Sequence, residues 1–462
     1  MTLANQKPEN VRKAHKASSS QLNRRKIAQS PNMAIVIIAL FFYIYSPPIH
    51  GIPIGLDKLI ALSLIVFWKK SRTSISKGLR QYKAFVALLL GSIVIAALHD
   101  IGGSHSFLDT RTYNLVSILL EMVPAAFIFS EILAVGSERT NDFFIKTLIG
   151  IGLVQSIICA IMYASPVVRS LVLEKLLRLG IYEDPRNLYE LRGYGMSSGY
   201  FFSFPLLQSL IAAACIGKAT KNPVYLIILG ILILPIYLNA RIGYIVFPCY
   251  LVAIVITLVF TRRPFEQIGQ RAGYMIKILA VVFFAVICSV LFIAKQDTKL
   301  SEWNQSALNE FTDPGEQGDL SSLATMIVFP QGAGMFFGNG IYCFDNPRAE
   351  LQSDIGYIND LMFGGLLFVF FAYGAFAVIM HAAYQGAGDF LNRTFVLACI
   401  FVAVVGNMKG ILISGEPFLR GFVIIMIFYS WKPDIMNRHI SRSQKWGNRR
   451  YHDGKHLEHP ET

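Results

Sequence analysis

PIYLNARIGYIVFPCY, residues 235–250, holds two apolar runs that meet at Asn239-Ala240-Arg241. A guanidinium keeps its charge at any working pH and is costly to place in hydrocarbon. Arg241 therefore marks a tight hairpin between two membrane-spanning helices. Its side chain starts at the head-group boundary, where it can snorkel or point into the mouth of a bundle.

Outward from that hairpin the pattern repeats. Of 462 residues, 54% are hydrophobic, and the mean hydropathy is +0.49. Soluble domains do not have this composition. Apolar runs alternate with short charged patches, the signature of a multi-spanning helical membrane protein. The expected fold class is an all-α polytopic membrane protein with about 12 transmembrane helices, near 33–49, 53–68, 84–99, 114–135, 143–165, 196–216, 222–238, 242–260, 274–294, 356–381, 393–412 and 415–431.

Charge sets the orientation. Basic residues cluster before the first span (Arg12, Lys13, Lys16, Arg24, Arg25, Lys26) and after the second (Lys69, Lys70, Arg72, Lys77, Arg80, Lys83). They recur after the eighth span (Arg262, Arg263, Arg271, Lys277) and in the tail (Lys432, Arg438, Arg442, Lys445, Arg449, Arg450). An even number of spans with both termini cytoplasmic puts all four groups on one side. The expected organisation is a basic cytoplasmic tail over 1–30, a transmembrane bundle over 31–431, and a basic cytoplasmic tail over 432–462. The net charge of +13 sits in these loops and tails without any nucleic-acid-binding signature, so the expected partner is the lipid bilayer and not nucleic acid. Five of the six cysteines lie in apolar runs, which implies no disulfide framework. The polar N-terminus is too long for a signal peptide, and the first apolar run reads as a retained signal anchor.

Two long connections, about 166–195 and 295–355, fall on the outer side with Arg241. The first begins with an amphipathic segment suited to the membrane interface. Four arginines face outward near helix ends or glycine-rich turns: Arg192, Arg241, Arg348 and Arg420. Each could bind phosphate, since guanidinium makes bidentate phosphate contacts. The plainer alternatives are snorkelling for Arg241 and an i,i+4 pair with Glu416 for Arg420. Asp354, where the second loop re-enters the membrane, could act as a general base toward a sugar hydroxyl or could simply cap the helix that follows. Gly338 and Gly340 lie in a glycine-rich turn that lacks the lysine of a nucleotide-binding loop. Glu121 and Asp360 lie inside spans, where they would be costly unless paired or wet. His50, His99 and His105 lack ligand spacing, so no metal is expected.

This layout resembles a family. The segments "LRGYGMSSGYFFSFPLL", "NARIGY" and "FGNGIYCF…SDIGYINDLMFGGLL", set in about 12 spans behind a basic N-terminus, look like bacterial O-antigen and exopolysaccharide polymerases (the Wzy type) and the related O-antigen ligases. The resemblance implies a fold similar to metal-independent GT-C-like membrane glycosyltransferases. It implies a multi-pass protein of the bacterial inner membrane, with both long loops periplasmic. The substrate would be an undecaprenyl-diphosphate-linked oligosaccharide, with a chain-length regulator and a flippase as partners and no cofactor. The lipid diphosphate is already a leaving group, so arginines could stabilise it without a metal. Arg241 matches the short-loop arginine, Arg192 the arginine at the start of the sixth span, and Gly338 and Gly340 the turn of the long loop. Asp354 falls at the re-entry point, where the ligases carry a histidine; this favours polymerase over ligase. The competing class is a secondary transporter or glycan flippase. It would show internal repeats and ionisable residues at the midplane, whereas no clear repeat is evident and the midplane is nearly free of charge apart from Glu121.

Overall fold

The computed structural model describes residues 32–52, 54–68, 70–101, 110–135, 140–176, 195–199, 202–260, 326–344, 351–410 and 416–431, with isolated residues of 273–283 and 413. Both tails, most of the span expected near 274–294, and large parts of both long loops lie outside the described residues.

The described elements are helices. They are α1 (Met33–Tyr45), α2 (Leu56–Phe67), α3 (Ser71–Gln81), α4 (Lys83–Asp100), α5 (Arg111–Ser117), α6 (Val123–Val135), α7 (Thr140–Ala164), α8 (Pro166–Ser170), α9 (Ser203–Ala219), α10 (Val224–Asn239), α11 (Val246–Phe260), α12 (Gly334–Phe337), α13 (Gly356–Gly386), α14 (Phe390–Gly406) and α15 (Glu416–Ser430). Five stretches are long and apolar enough to cross a membrane: Lys83–Asp100, Arg111–Ala134, Thr140–Ala164, Ile242–Phe260 and Gly356–Gly386. Shorter apolar helices pack among them, including α1, α9, α10, α14 and most of α15. The chain is thus an α-helical protein built for a membrane. In lipid every backbone polar group must be satisfied within the protein, and helices achieve this segment by segment.

α9 lies at the centre. It is buried along nearly its whole length, and its Ala212-Ala213-Ala214 run lets neighbouring helices approach closely. It packs on α7, α10, α14 and α15. Outward faces carry exposed Ile35, Ile38, Leu62, Val66, Leu90 and Val94, which suit hydrocarbon better than water.

Helix ends sort into two groups. At one end Tyr45, Asp57, Asp100, Ser198, Tyr342 and Asn407 are linked by hydrogen bonds that join different helices. At the other, Ser74 bonds Glu131, Lys218 pairs with Asp142, Gln81 Nε2 donates to the Ser430 carbonyl at 3.2 Å, and Tyr429 OH donates to Asn392 Oδ1 at 2.8 Å.

Two irregularities serve the first end. A π-helical turn over Ile118–Met122 precedes Pro124, whose missing N–H breaks the regular ladder. α13 is two helices joined at Gly365, with φ 66° and ψ −170°, a conformation open essentially to glycine alone. The break frees carbonyls, and the glycine turn after α12 repairs it. Asn339 N–H donates to Met362 O and Gly340 N–H to Phe363 O, both at 2.9 Å.

Candidate functional site

The described segments that carry Arg241, Asp354, Gly338, Gly340 and Arg420 lie at this repaired end. α10 stops at Asn239, whose buried side-chain amide donates to the Pro235 carbonyl at 3.0 Å. Arg241 then opens a 3₁₀ turn, Arg241–Ile245. That turn docks on the start of α9, where Ser209 Oγ donates to Gly243 O at 2.6 Å. A Cβ on Gly243 would lie 2.9 Å from Pro205 O, so only glycine allows the approach. The Arg241 backbone therefore sits beside the N-terminal end of the central helix. Its side chain, like Arg192 and Arg348 entirely, lies outside the described residues.

Asp354 is half-buried and stands two residues before α13. It is not the cap: Ile355 holds that position, without a side-chain hydrogen bond. Gly356 N–H donates to Asn407 O at 3.0 Å, which ties the re-entry point to the end of α14. Gly410, just beyond, packs on the Phe202 ring at the head of α9. The α13 start is thus linked to the head of α9 through the end of α14, while the Arg241 turn packs on α9 directly. Gly338 (φ 78°) and Gly340 (φ 65°) form the turn that repairs the α13 break.

Arg420 is placed differently from its expected role. Its side chain is fully buried and pairs with the Asp57 carboxylate, while the Glu416 side chain lies outside the described residues. Nη1 contacts Asp57 Oδ2 at 2.7 Å, Nε donates to Ile44 O at 3.2 Å, and Nη2 donates to Ser198 Oγ at 3.1 Å. Ser46 completes the knot: its hydroxyl donates to Asp57 Oδ1 at 2.6 Å and accepts from Asp57 N–H at 3.2 Å. To do so Ser46 adopts φ 38°, the one described non-glycine residue with positive φ. A guanidinium engaged on all three nitrogens braces α1, α2, α15 and residues 195–198 against one another. Glu121, in the π-helical turn nearby, accepts from Ser117 Oγ at 2.8 Å.

A second buried pair holds the other half of this end. Arg111 Nη2 lies 3.2 Å from Asp360 Oδ1, with both side chains almost wholly buried. Tyr373 OH donates to Asp360 Oδ2 at 2.6 Å, and Asn407 Nδ2 donates to Tyr373 OH at 2.5 Å. The long loop joins through Tyr342, whose OH donates to Asp100 Oδ1 at 2.7 Å and accepts from Arg111 N–H at 3.0 Å. Burial, with the Asp100 carboxylate beside it, holds the Tyr342 phenol well above its usual range, so it remains a neutral donor. Tyr342→Phe is expected to release the loop: cleavage within 326–355 by added protease should accelerate several-fold while the bundle melts nearly unchanged.

The described residues bury Asp57, Arg111, Asp360 and Arg420, each answered across the bundle by a partner distant in sequence. Among the described residues no three His, Cys, Asp or Glu side chains gather as metal ligands would. Among the described residues this end gathers backbone turns, the half-buried Asp354 carboxylate and two buried charge pairs. No protein-family model and no curated protein matches the chain.

Proposed function

We propose that the chain is a polysaccharide polymerase. It would join undecaprenyl-diphosphate-linked oligosaccharide repeat units at the periplasmic face of a bacterial inner membrane, with about 12 spans and both termini cytoplasmic. One observation carries this reading: the turn opened by Arg241 packs on Pro205 and Ser209 near the N-terminal end of α9, and the α13 start that follows Asp354 is tied to Asn407, next to Gly410, which packs on Phe202 at that same end.

The chemistry follows from that grouping. An acceptor-sugar hydroxyl attacks the anomeric carbon of the donor glycan. The bond from that carbon to the lipid diphosphate breaks, and a glycosidic bond forms. Asp354 takes the hydroxyl proton, and Arg241, with Arg192 and Arg348 from the long loops, stabilises the departing diphosphate. Arg420 acts as a brace, because its nitrogens already hold Asp57, Ile44 and Ser198. O-antigen ligation would use the same mouth with another acceptor.

A transport reading draws support from one feature, the broken α13 with the Arg111–Asp360 pair on its first half, since discontinuous helices and buried charge mark many transporters. Purified protein given its lipid-linked repeat unit in detergent separates the two. A ladder of lengthening glycans supports polymerisation. Absence of any transfer, together with movement of the substrate across a liposome bilayer, would overturn it.

A further inference from the structure

The basic helix α3 sits at the end opposite this mouth. Between Lys69 and Lys83 the chain carries six lysines and arginines and no acidic residue. α3 packs on α6 through the small residues Ser74 and Gly78, with the Phe127 ring filling the space over Gly78, and Ser71 Oγ donates to Ile65 O of α2 at 2.7 Å. Glu131 of α6 hydrogen-bonds Ser74 and lies near Lys70 and Lys77. Arg72, Arg80 and Lys83 remain exposed. A short polar helix of this kind, bound by one face and basic on the other, belongs at the head-group layer.

Next to it lies an apolar groove. Ile60, Ser63, Leu64 and Phe67 of α2, Trp68 just beyond it and Ala39 of α1 line an open groove of about 300 Å³. At the C-terminal end of α2 the indole N–H of Trp68 is buried and has no hydrogen-bond partner among the described residues. A buried donor without an acceptor is costly. Lys70 and Arg72 follow it two and four residues later, both exposed.

We propose that this groove and helix form a binding site for an acidic membrane phospholipid. An acyl chain lies along the α1–α2 groove, and the phosphate meets the Trp68 indole N–H and the cationic face of α3. The apolar lining suits the chain, the unpartnered donor supplies the acceptor's mate, and the excess of positive over negative charge along α3 selects an anionic head group. The inference rests on membrane insertion and is independent of the polymerase reading.

The test is native mass spectrometry of the detergent-purified full chain with equal amounts of phosphatidylglycerol and phosphatidylcholine of identical acyl chains. Wild type should retain the acidic lipid over the zwitterionic one by about fivefold or more. The exposed-charge variant Lys70→Gln/Arg72→Gln/Arg80→Gln should bring the ratio near one. Leu64→Trp, which fills the groove, should reduce retention of both lipids. Millimolar inorganic phosphate should not displace the lipid; displacement would mean a free-phosphate site and overturn the proposal. An unchanged ratio in the charge variant would also overturn it, and because those side chains are exposed, that variant decides the matter even if Leu64→Trp fails to fold.

Discussion

Arg420→Met alone is expected to destabilise the bundle by about 3–5 kcal/mol, because it leaves the Asp57 carboxylate buried without its cation. The loss should appear as a large drop in the thermal unfolding midpoint in detergent, with early loss of the contact between residues 195–198 and α1. The double variant Asp57→Leu/Arg420→Met should recover much of that stability, because the cost lies in the unpaired charge and not in the absence of the pair. A double variant no more stable than Arg420→Met would contradict this account of the knot. Asp57→Leu alone should behave like Arg420→Met, stranding the guanidinium in place of the carboxylate.

The second large effect concerns Gly338. A Cβ there would lie 2.2 Å from the Phe363 carbonyl oxygen and 2.5 Å from the Gly364 Cα, and φ is 78°. These are backbone atoms in a packed break, so no side chain can turn aside to make room. Gly338→Ala should undock the turn and free the carbonyls of Met362 and Phe363, at roughly 1–3 kcal/mol for each buried acceptor left unpaired. Glycan transfer should fall with it. Two controls separate clash from backbone strain. Gly332 has φ 60° but nothing within 4 Å, so Gly332→Ala should cost only about 1 kcal/mol. Gly230 lies inside α10 with nothing within 4 Å, so Gly230→Ala should be neutral or stabilising by up to about 1 kcal/mol. Equal effects at all three positions would remove the docking of Gly338 from the explanation.

The helical membrane class was legible in the sequence because hydropathy is additive along a chain, and the long apolar runs at 84–99, 114–135, 143–165, 242–260 and 356–381 each overlap a membrane-length helical stretch of the structure. The hairpin at Asn239-Ala240-Arg241 was legible for the same reason. The charge knots were not. Arg420 and Asp57 are 363 residues apart, and local spacing pointed instead to Glu416. Arg111 gave no signal because it belongs to no recognisable motif, although a charged residue at the edge of an apolar run was an available clue; Tyr342 lies inside "FGNGIYCF", where the glycines and not the phenol drew the reading. Asp360 was the exception, since a carboxylate inside a span demands a partner, and Arg111 supplies it. The kink at Gly365 was hidden by the apolar continuity of "DLMFGGLLFVFF", in which two glycines read equally well as helix or as break.

The central claim is a mouth for a lipid diphosphate at the Arg241 turn. It is tested most directly by transfer from a lipid-linked repeat unit in detergent, comparing wild type with Arg241→Ala and Arg241→Lys, each first shown to melt like wild type. The account predicts a glycan ladder with wild type, its loss in Arg241→Ala, and partial return in Arg241→Lys, which restores charge without the bidentate fork. A ladder undiminished in a folded Arg241→Ala would contradict it and leave that arginine as a residue snorkelling at the membrane surface.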